Sequence, residues 1–305
     1  MVNNYKTHRR IIKQSAVPYL LLAPVLLAIG CFMLWPIINV FKMSTEAYKA
    51  TQISDRHFVG LANYTQIFTQ DALFFKTLGN TAVWVFASVA FQTVLGFWLA
   101  YLLTKKFRGR GLVRALSLAP WAVAGLMVGI IWALIMGESY GLLNDILKRI
   151  GLISSNISWF SNGQLSMFAC VLANIWRGIP FFTISYMSSL AGIPDELYES
   201  AKIDGANAVA TLFQITLPMM KDTIVLTTLL RAIWTFNAVD LIISLTAGGP
   251  NYSTTTLALY IMNKFTGEFD YGYASALAVI ATLMMMLIAL IYIKLSKIGK
   301  DGVLG

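Results

Sequence analysis

Residues 193–218 read IPDELYESAKIDGANAVATLFQITLP, a polar and patterned interruption late in a chain that is otherwise apolar. Pro194 followed by Asp195 and Glu196 is a helix start, because proline suits the first helical position and acids suit the positive end of the helix dipole. Leu197 and Ala201 fall four apart on one face, with Glu196, Glu199 and Lys202 around the other. Asp204-Gly205 breaks that helix, since glycine readily takes the backbone angles a helix end needs. A second helical run carries Ala208, Leu212 and Ile215 and stops at Pro218. The pattern predicts two short helices joined at a glycine hinge between membrane spans: a compact docking knob.

The membrane reading follows from composition. Of 305 residues, 57% are hydrophobic and 12% charged, against about 25% charged in a soluble domain. The two cysteines, Cys31 and Cys170, lie in apolar runs and read as small buried hydrophobes rather than a disulfide or a metal pair. The only histidines are His8 and His57, so no zinc-type cluster is expected. Gly299-Lys300 lacks the glycine spacing and the following Ser or Thr of a phosphate-binding loop. The chain is therefore expected to be non-catalytic, with no metal or cofactor of its own, and any energy it uses must come from a partner.

Six apolar runs are long enough to span a bilayer: residues 16–35, 81–103, 115–136, 165–190, 224–247 and 273–293. The first follows Lys6, Arg9, Arg10 and Lys13 and ends at Trp35-Pro36. It is of span length, whereas a signal peptide has an apolar core of about 7–15 residues and a small-residue cleavage site. Gly125 and Gly129 in the third run form a small-residue face for close helix packing. Residues 41–78 read as a mixed, polar and partly structured segment, and residues 137–164 and 248–272 as polar loops. Six spans put both termini on one side. That side holds 14 Lys and Arg, against seven on the other. The positive-inside rule then makes the termini and the 193–218 loop cytoplasmic. The net charge of +9 is explained by topology, with no nucleic-acid partner needed. The expected organisation is a cytoplasmic segment 1–15, a membrane domain 16–295 with its loop at 193–218, and a cytoplasmic tail 296–305.

Charge inside a span is costly and usually faces a cavity or a partner. Arg177, Arg231 and Asp240 are the three cases. Asn174, Arg177 and Phe181 share one face of the fourth span, and Pro180 frees a backbone carbonyl one turn back. Amide and guanidinium groups bond hydroxyls, and an aromatic face such as Trp176 packs on a pyranose ring. Aromatic packing with an arginine reaching for the interface explains the same residues equally well. On the fifth span Arg231 and Thr235 form one stripe, with Trp234, Asn237 and Leu241 beside it. Asp240 is nine residues after Arg231 on the same expected helix, so it is expected to meet Arg177 or a second subunit instead.

The same residues carry a resemblance. Glu199-Ser200-Ala201, Asp204-Gly205-Ala206 and Leu217-Pro218 resemble the EAA loop of ABC importer membrane subunits, with Ser200 in place of the second alanine. N-I-W-x-G-x-P from Asn174, R-x-I-W-T-F-N-x-x-D from Arg231 and T-x-G-G-P from Thr246 are similar to the maltose-type carbohydrate importers. The resemblance implies an all-α, six-helix, type I ABC importer permease fold. It implies a second homologous permease, two copies of an ATPase that binds ATP and Mg, and an extracytoplasmic sugar-binding protein. Glu199, Ser200, Ala201, Asp204, Gly205 and Ala206 would meet the ATPase. Asn174, Trp176, Gly178, Phe181, Arg231, Thr235 and Asn237, with Arg177 beside them, would hold the sugar. The best-studied maltose permease has small or apolar residues where this chain has Arg177 and Arg231. That leaves an anionic cargo (glycerol phosphate, uronate or sulfonated sugar) as the alternative to a neutral sugar. An ion-coupled carrier working alone is the rival from another class, and the spans offer it only Asp240 as a carboxylate.

Overall fold

The computed structural model describes residues 19, 21–105 and 107–296. The basic cluster before residue 16, Lys106, Lys297 and Lys300 lie outside the described residues. Among the described residues, four helices are long and apolar enough to cross a membrane, and two bent helix pairs raise the number to six if each pair is one span. The contacts divide the chain into two compact units.

The first unit takes the chain up to residue 69 together with residues 264–280. Helix α1 (Leu21–Ser44) continues past Trp35-Pro36, where the sequence reading ended it. A π turn at Gly30–Leu34 directly precedes Pro36. Proline lacks an N–H and its ring crowds the carbonyl four residues back, and the wider turn accommodates both. No residue in the most apolar window of α1 is buried, and Cys31 is exposed, not buried as its apolar neighbours suggested. A small hairpin follows, β1 (Glu46–Ala47) against β2 (His57–Phe58), pairing Glu46 with Phe58. Arg56 holds it by an ion pair to Glu46 at 2.6 Å and by lying over the Tyr48 ring. Helix α2 (Ala62–Thr69) follows, and Asn63 donates to the carbonyls of Ser44 and Glu46.

The second unit carries residues 70–263 and 281–296 of those described. Helix α3 (Ala72–Thr104) starts at Asp71, whose carboxylate accepts from the amides of Leu73 and Phe74. Its buried stripe includes Thr77, Thr81, Trp84, Ser88, Gln92 and Gly96, at helical spacing. Val83, Phe86, Phe91 and Val94 are exposed. Polar groups inside and apolar groups outside is the pattern of a helix in lipid.

The third expected span is two helices, α4 (Arg110–Ala122) and α5 (Gly125–Ile135), bent by 102°. Pro120 weakens the last turn of α4, and Val123 and Ala124 are non-helical. The expected loop at 137–164 contains α6 (Leu142–Arg149). Its Asn144 accepts from the Trp159 indole and the Ile157 amide and donates to the Ile157 carbonyl. Helix α7 (Gly163–Ala191) is the most buried span and runs through Pro180.

The knob region forms α8 (Asp195–Ile203) and α9 (Ala208–Met219). Pro218 does not stop the second run. A π turn at Leu212–Thr216 accommodates it, as at Pro36, and the chain turns by 66° at Met220 into α10 (Lys221–Asn237). The fifth expected span does not continue to residue 247. Ala238 is extended, and α11 (Asp240–Thr246) starts anew with Asp240 in its first turn, where an acid is favoured. Gly125 and Gly129 pack on α11 as expected of a small-residue face: a Cβ on them would fall 1.7 Å from Asp240 Oδ2 and 1.8 Å from Ser244 Oγ. The loop after α11 contains α12 (Leu257–Met262), and α13 (Tyr271–Ser296) is the last apolar helix.

Candidate functional site

Arg177 is the midpoint of the 29-residue helix α7, roughly 21 Å from either end at 1.5 Å per residue. At this level the wall between α7, α10 and α11 opens into a cavity of about 400 Å³. Asn174 and Arg177 come from α7, and Arg231, Trp234, Thr235 and Asn237 from α10. Trp121, at the break after α4, and Ala238 and Asp240, at the break after α10, complete it. Broken helices place polar backbone and side chains at depth where an unbroken apolar helix would not.

Arg177 Nη1 lies 3.3 Å from Asp240 Oδ2, so the pairing expected from sequence is present. The end of α10 makes it possible, because it turns Asp240 out of the line of Arg231. Arg231 is 8% exposed. Its Nε donates to Gln92 Oε1 at 2.8 Å and its Nη2 to Asn174 Oδ1 at 3.2 Å. Gln92 Nε2 in turn donates to the Asn174 carbonyl at 2.7 Å. The Thr235 carbonyl accepts from the Trp84 indole at 2.8 Å. Two buried polar atoms of the lining residues, Asn174 Nδ2 and Thr235 Oγ1, have no partner among the described residues. A buried donor left unsatisfied costs about 1–3 kcal/mol, so a hydroxyl-bearing ligand or water has groups to satisfy here.

Of the residues singled out from sequence, Asn174, Arg177, Arg231, Thr235 and Asn237 share this cavity. The other three do not line it. The Trp176 ring packs edge-on against Trp132 with centroids 6.2 Å apart. Gly178 faces the Gln92 side chain. Phe181 packs on Trp234 at 5.1 Å and so supports a ring that does line the cavity. Sequence reasoning passed over Gln92 and Trp121, and it placed Trp234 beside the Arg231 stripe without assigning it to the site. Gln92 was detectable as an uncharged polar residue in an apolar span, a weaker signal than the three charges. Trp121 is next to the helix-breaking Pro120.

The knob is built by two local devices. Gly205 has φ +77, its N–H bonds the Lys202 carbonyl, and the Ala206 N–H bonds the Ala201 carbonyl. These two bonds close α8 with a left-handed residue. Asn207 then caps α9, its side chain accepting from the Ala210 amide at 2.8 Å. Ala201 is buried, while Glu199, Ser200, Asp204 and Gly205 are exposed and Ala206 is half-buried. Ile203, Val209 and Phe213 are exposed apolar side chains on this otherwise polar projection. Such a group suits a protein partner.

The sequence profile described as "Binding-protein-dependent transport system inner membrane component" matches residues 92–298. The trehalose/maltose transport system permease protein MalF of Thermococcus litoralis is 32% identical over 98% of this chain and all of its own length. The sulfoquinovosyl glycerol transport system permease protein SmoG of Agrobacterium fabrum is 33% identical over 91% of this chain and 89% of its own. A crystal structure of a bacterial ABC transporter involved in the import of the acidic polysaccharide alginate has a chain of the same fold. It superposes with a TM-score of 0.82, at 22% identity, over 97% of this chain and all of that one. With the profile covering most of the chain and full-length relatives above 30% identity, this multi-pass protein belongs to the binding-protein-dependent transport system inner membrane components, the permease subunits of ABC importers.

Proposed function

We propose that this chain is half of the translocation path of a sugar importer, coupled to an ATPase through the 193–218 knob. One observation carries the reading. Helix α10, 17 residues and roughly 25 Å long, joins the knob at Met220 to the mid-span cavity at Arg231–Asn237. A displacement of the knob therefore reaches the cavity through one rigid element. In this scheme a second permease completes the path, two ATPase subunits close on ATP and carry the knobs with them, and an extracytoplasmic binding protein delivers the cargo. ATP and Mg belong to the ATPase. Asn174, Arg177, Arg231, Thr235 and Asn237 hold the cargo's hydroxyls, with Trp121 and Trp234 as apolar faces. Trp176, Gly178 and Phe181 shape the wall behind them. Glu199, Ser200, Ala201, Asp204, Gly205 and Ala206 form the ATPase-facing helix and its turn. The orientation is the one given by the positive-inside count, with knob and termini cytoplasmic.

Neutral sugar is the first reading of the cargo, since Asp240 already offsets Arg177. Relatives named for trehalose, maltose and arabinooligosaccharide transport support it. A second reading rests on Arg231, which is held by two neutral acceptors and pairs with no carboxylate among the described residues. A phosphate, carboxylate or sulfonate on the cargo would supply that charge. The test is ATPase activity of the purified assembly in lipid, with binding protein, across neutral and anionic sugars. Stimulation by neutral oligosaccharides supports the first reading, and stimulation only by anionic cargo supports the second. No cargo-dependent ATPase with any of them would count against a sugar importer.

A further inference from the structure

We infer that Gln92 is a positioning residue that fixes Arg231 as the cavity's uncompensated positive group and keeps its free N–H edge available to cargo. The inference rests on the cargo-path reading above and names what sets the charge of that path.

Gln92 is fully buried on α3 and lies between two fixed partners. Its Nε2 donates to the Asn174 carbonyl, and an acceptor of that kind can face only the nitrogen end of an amide. The oxygen end is therefore committed to Arg231 Nε, at 2.8 Å. Asn174 Oδ1 takes Nη2. Both acceptors are neutral, so the guanidinium is oriented without being neutralised. These two bonds use two of its five N–H donors, and the other three have no partner among the described residues. Among the charged residues lining the cavity, Arg177 and Asp240 offset each other, which leaves Arg231 as the net charge.

Glutamate could not replace Gln92 in this role. One carboxylate oxygen would neutralise Arg231, and the other would face the Asn174 carbonyl with no proton between them. The site is also built around the amide from behind. A Cβ on Gly178 would lie 2.2 Å from Gln92 Nε2, so only glycine admits Gln92 in this pose.

The test uses the whole assembly in lipid. Fluorescence of the cavity tryptophans, defined as the signal lost on joint Trp121→Phe and Trp234→Phe substitution, is quenched with iodide and with neutral acrylamide. Gln92→Glu is expected to lower the iodide constant roughly threefold, to the level of Arg231→Met, with acrylamide unchanged. An unchanged iodide constant overturns the inference. This arm needs no transport, so it decides the role of Gln92 even if the sugar-importer reading fails. The second arm reads cargo-stimulated ATPase. Gln92→Leu is expected to raise the half-saturating concentration of loaded binding protein about tenfold, the order of one hydrogen bond to a charged group, with the maximal rate preserved. Arg231→Lys should do the same, and the double variant should be no worse than the worse single one. Additive losses, or loss of maximal rate alone, overturn it. Gly178→Ala displaces the same amide without touching residue 92 and should reproduce the effect if Gln92→Leu fails to assemble.

Discussion

Asp240 Oδ2 lies 3.3 Å from Arg177 Nη1, joining α7 to the first turn of α11 across the mouth of the break in the fifth span. Both side chains keep partial access, 24% for Arg177 and 37% for Asp240, so the pair is neither sealed nor freely solvated. Reversing one partner sets two like charges against each other between α7 and α11. Arg177→Asp and Asp240→Arg, each alone, should lower transport roughly tenfold, less than for a fully buried pair. The two together should recover a substantial part of it. Transport by proteoliposomes carrying the double variant is the measurement, and no recovery would mean that the pair does not act as a unit.

Gly125 makes that pair possible. A Cβ there would sit 1.7 Å from Asp240 Oδ2 and 2.6 Å from Arg177 Nη1. Gly125→Ala must push α5 from α11 or break the pair, an overpacking cost of about 1–3 kcal/mol. The assembly's unfolding temperature should fall by several degrees, and transport should fall with it. Gly111→Ala, whose Cβ meets nothing within 4 Å, is the control and should leave both unchanged.

How much of this was legible in the sequence depended on the range of the signal. The knob could be read because its devices are local: Asp195 and Glu196 open a helix, and Gly205 closes it. The Arg177–Asp240 pair could be read because charge in a span demands a partner. The breaks at Val123-Ala124 and Ala238-Val239 were not read, since each lies inside a run apolar enough to pass as one span, and Pro120 marks a weakened turn without showing that the chain bends there. Pro36 and Pro218 misled for the opposite reason. Proline normally ends a helix, and here a π turn ahead of each absorbs the missing donor. Gln92 escaped because an uncharged amide in an apolar run is a faint signal until its partners, 82 and 139 residues away, are seen.

The orientation drawn from the 14-to-seven basic count is open to direct labelling. Tyr140 is fully exposed before α6, and Ser200 is exposed on the knob. In a background lacking Cys31 and Cys170, Tyr140→Cys should react with a membrane-impermeant maleimide on intact cells stripped of their outer barrier. Ser200→Cys should react only after permeabilisation. The reverse pattern would invert the topology and place the knob where no cytoplasmic ATPase could reach it.

Gly205 tests the coupling itself. Its φ of +77 belongs to the region that favours glycine, yet a Cβ there would meet nothing within 4 Å. Gly205→Ala therefore carries only a backbone penalty, on the order of 1 kcal/mol, and the complex should still assemble. Gly205→Pro is more severe, because proline holds φ near −65° and removes the N–H that bonds the Lys202 carbonyl. The end of α8 would open, and the angle between α8 and α9 would no longer be set. If α10 relays the knob's position to the cavity, Gly205→Pro should leave basal ATPase largely intact and abolish its stimulation by loaded binding protein. Gly205→Ala should fall between the two. Full stimulation in Gly205→Pro would mean that the turn between the two short helices does not transmit the ATPase stroke, and the coupling would have to run through α8 alone.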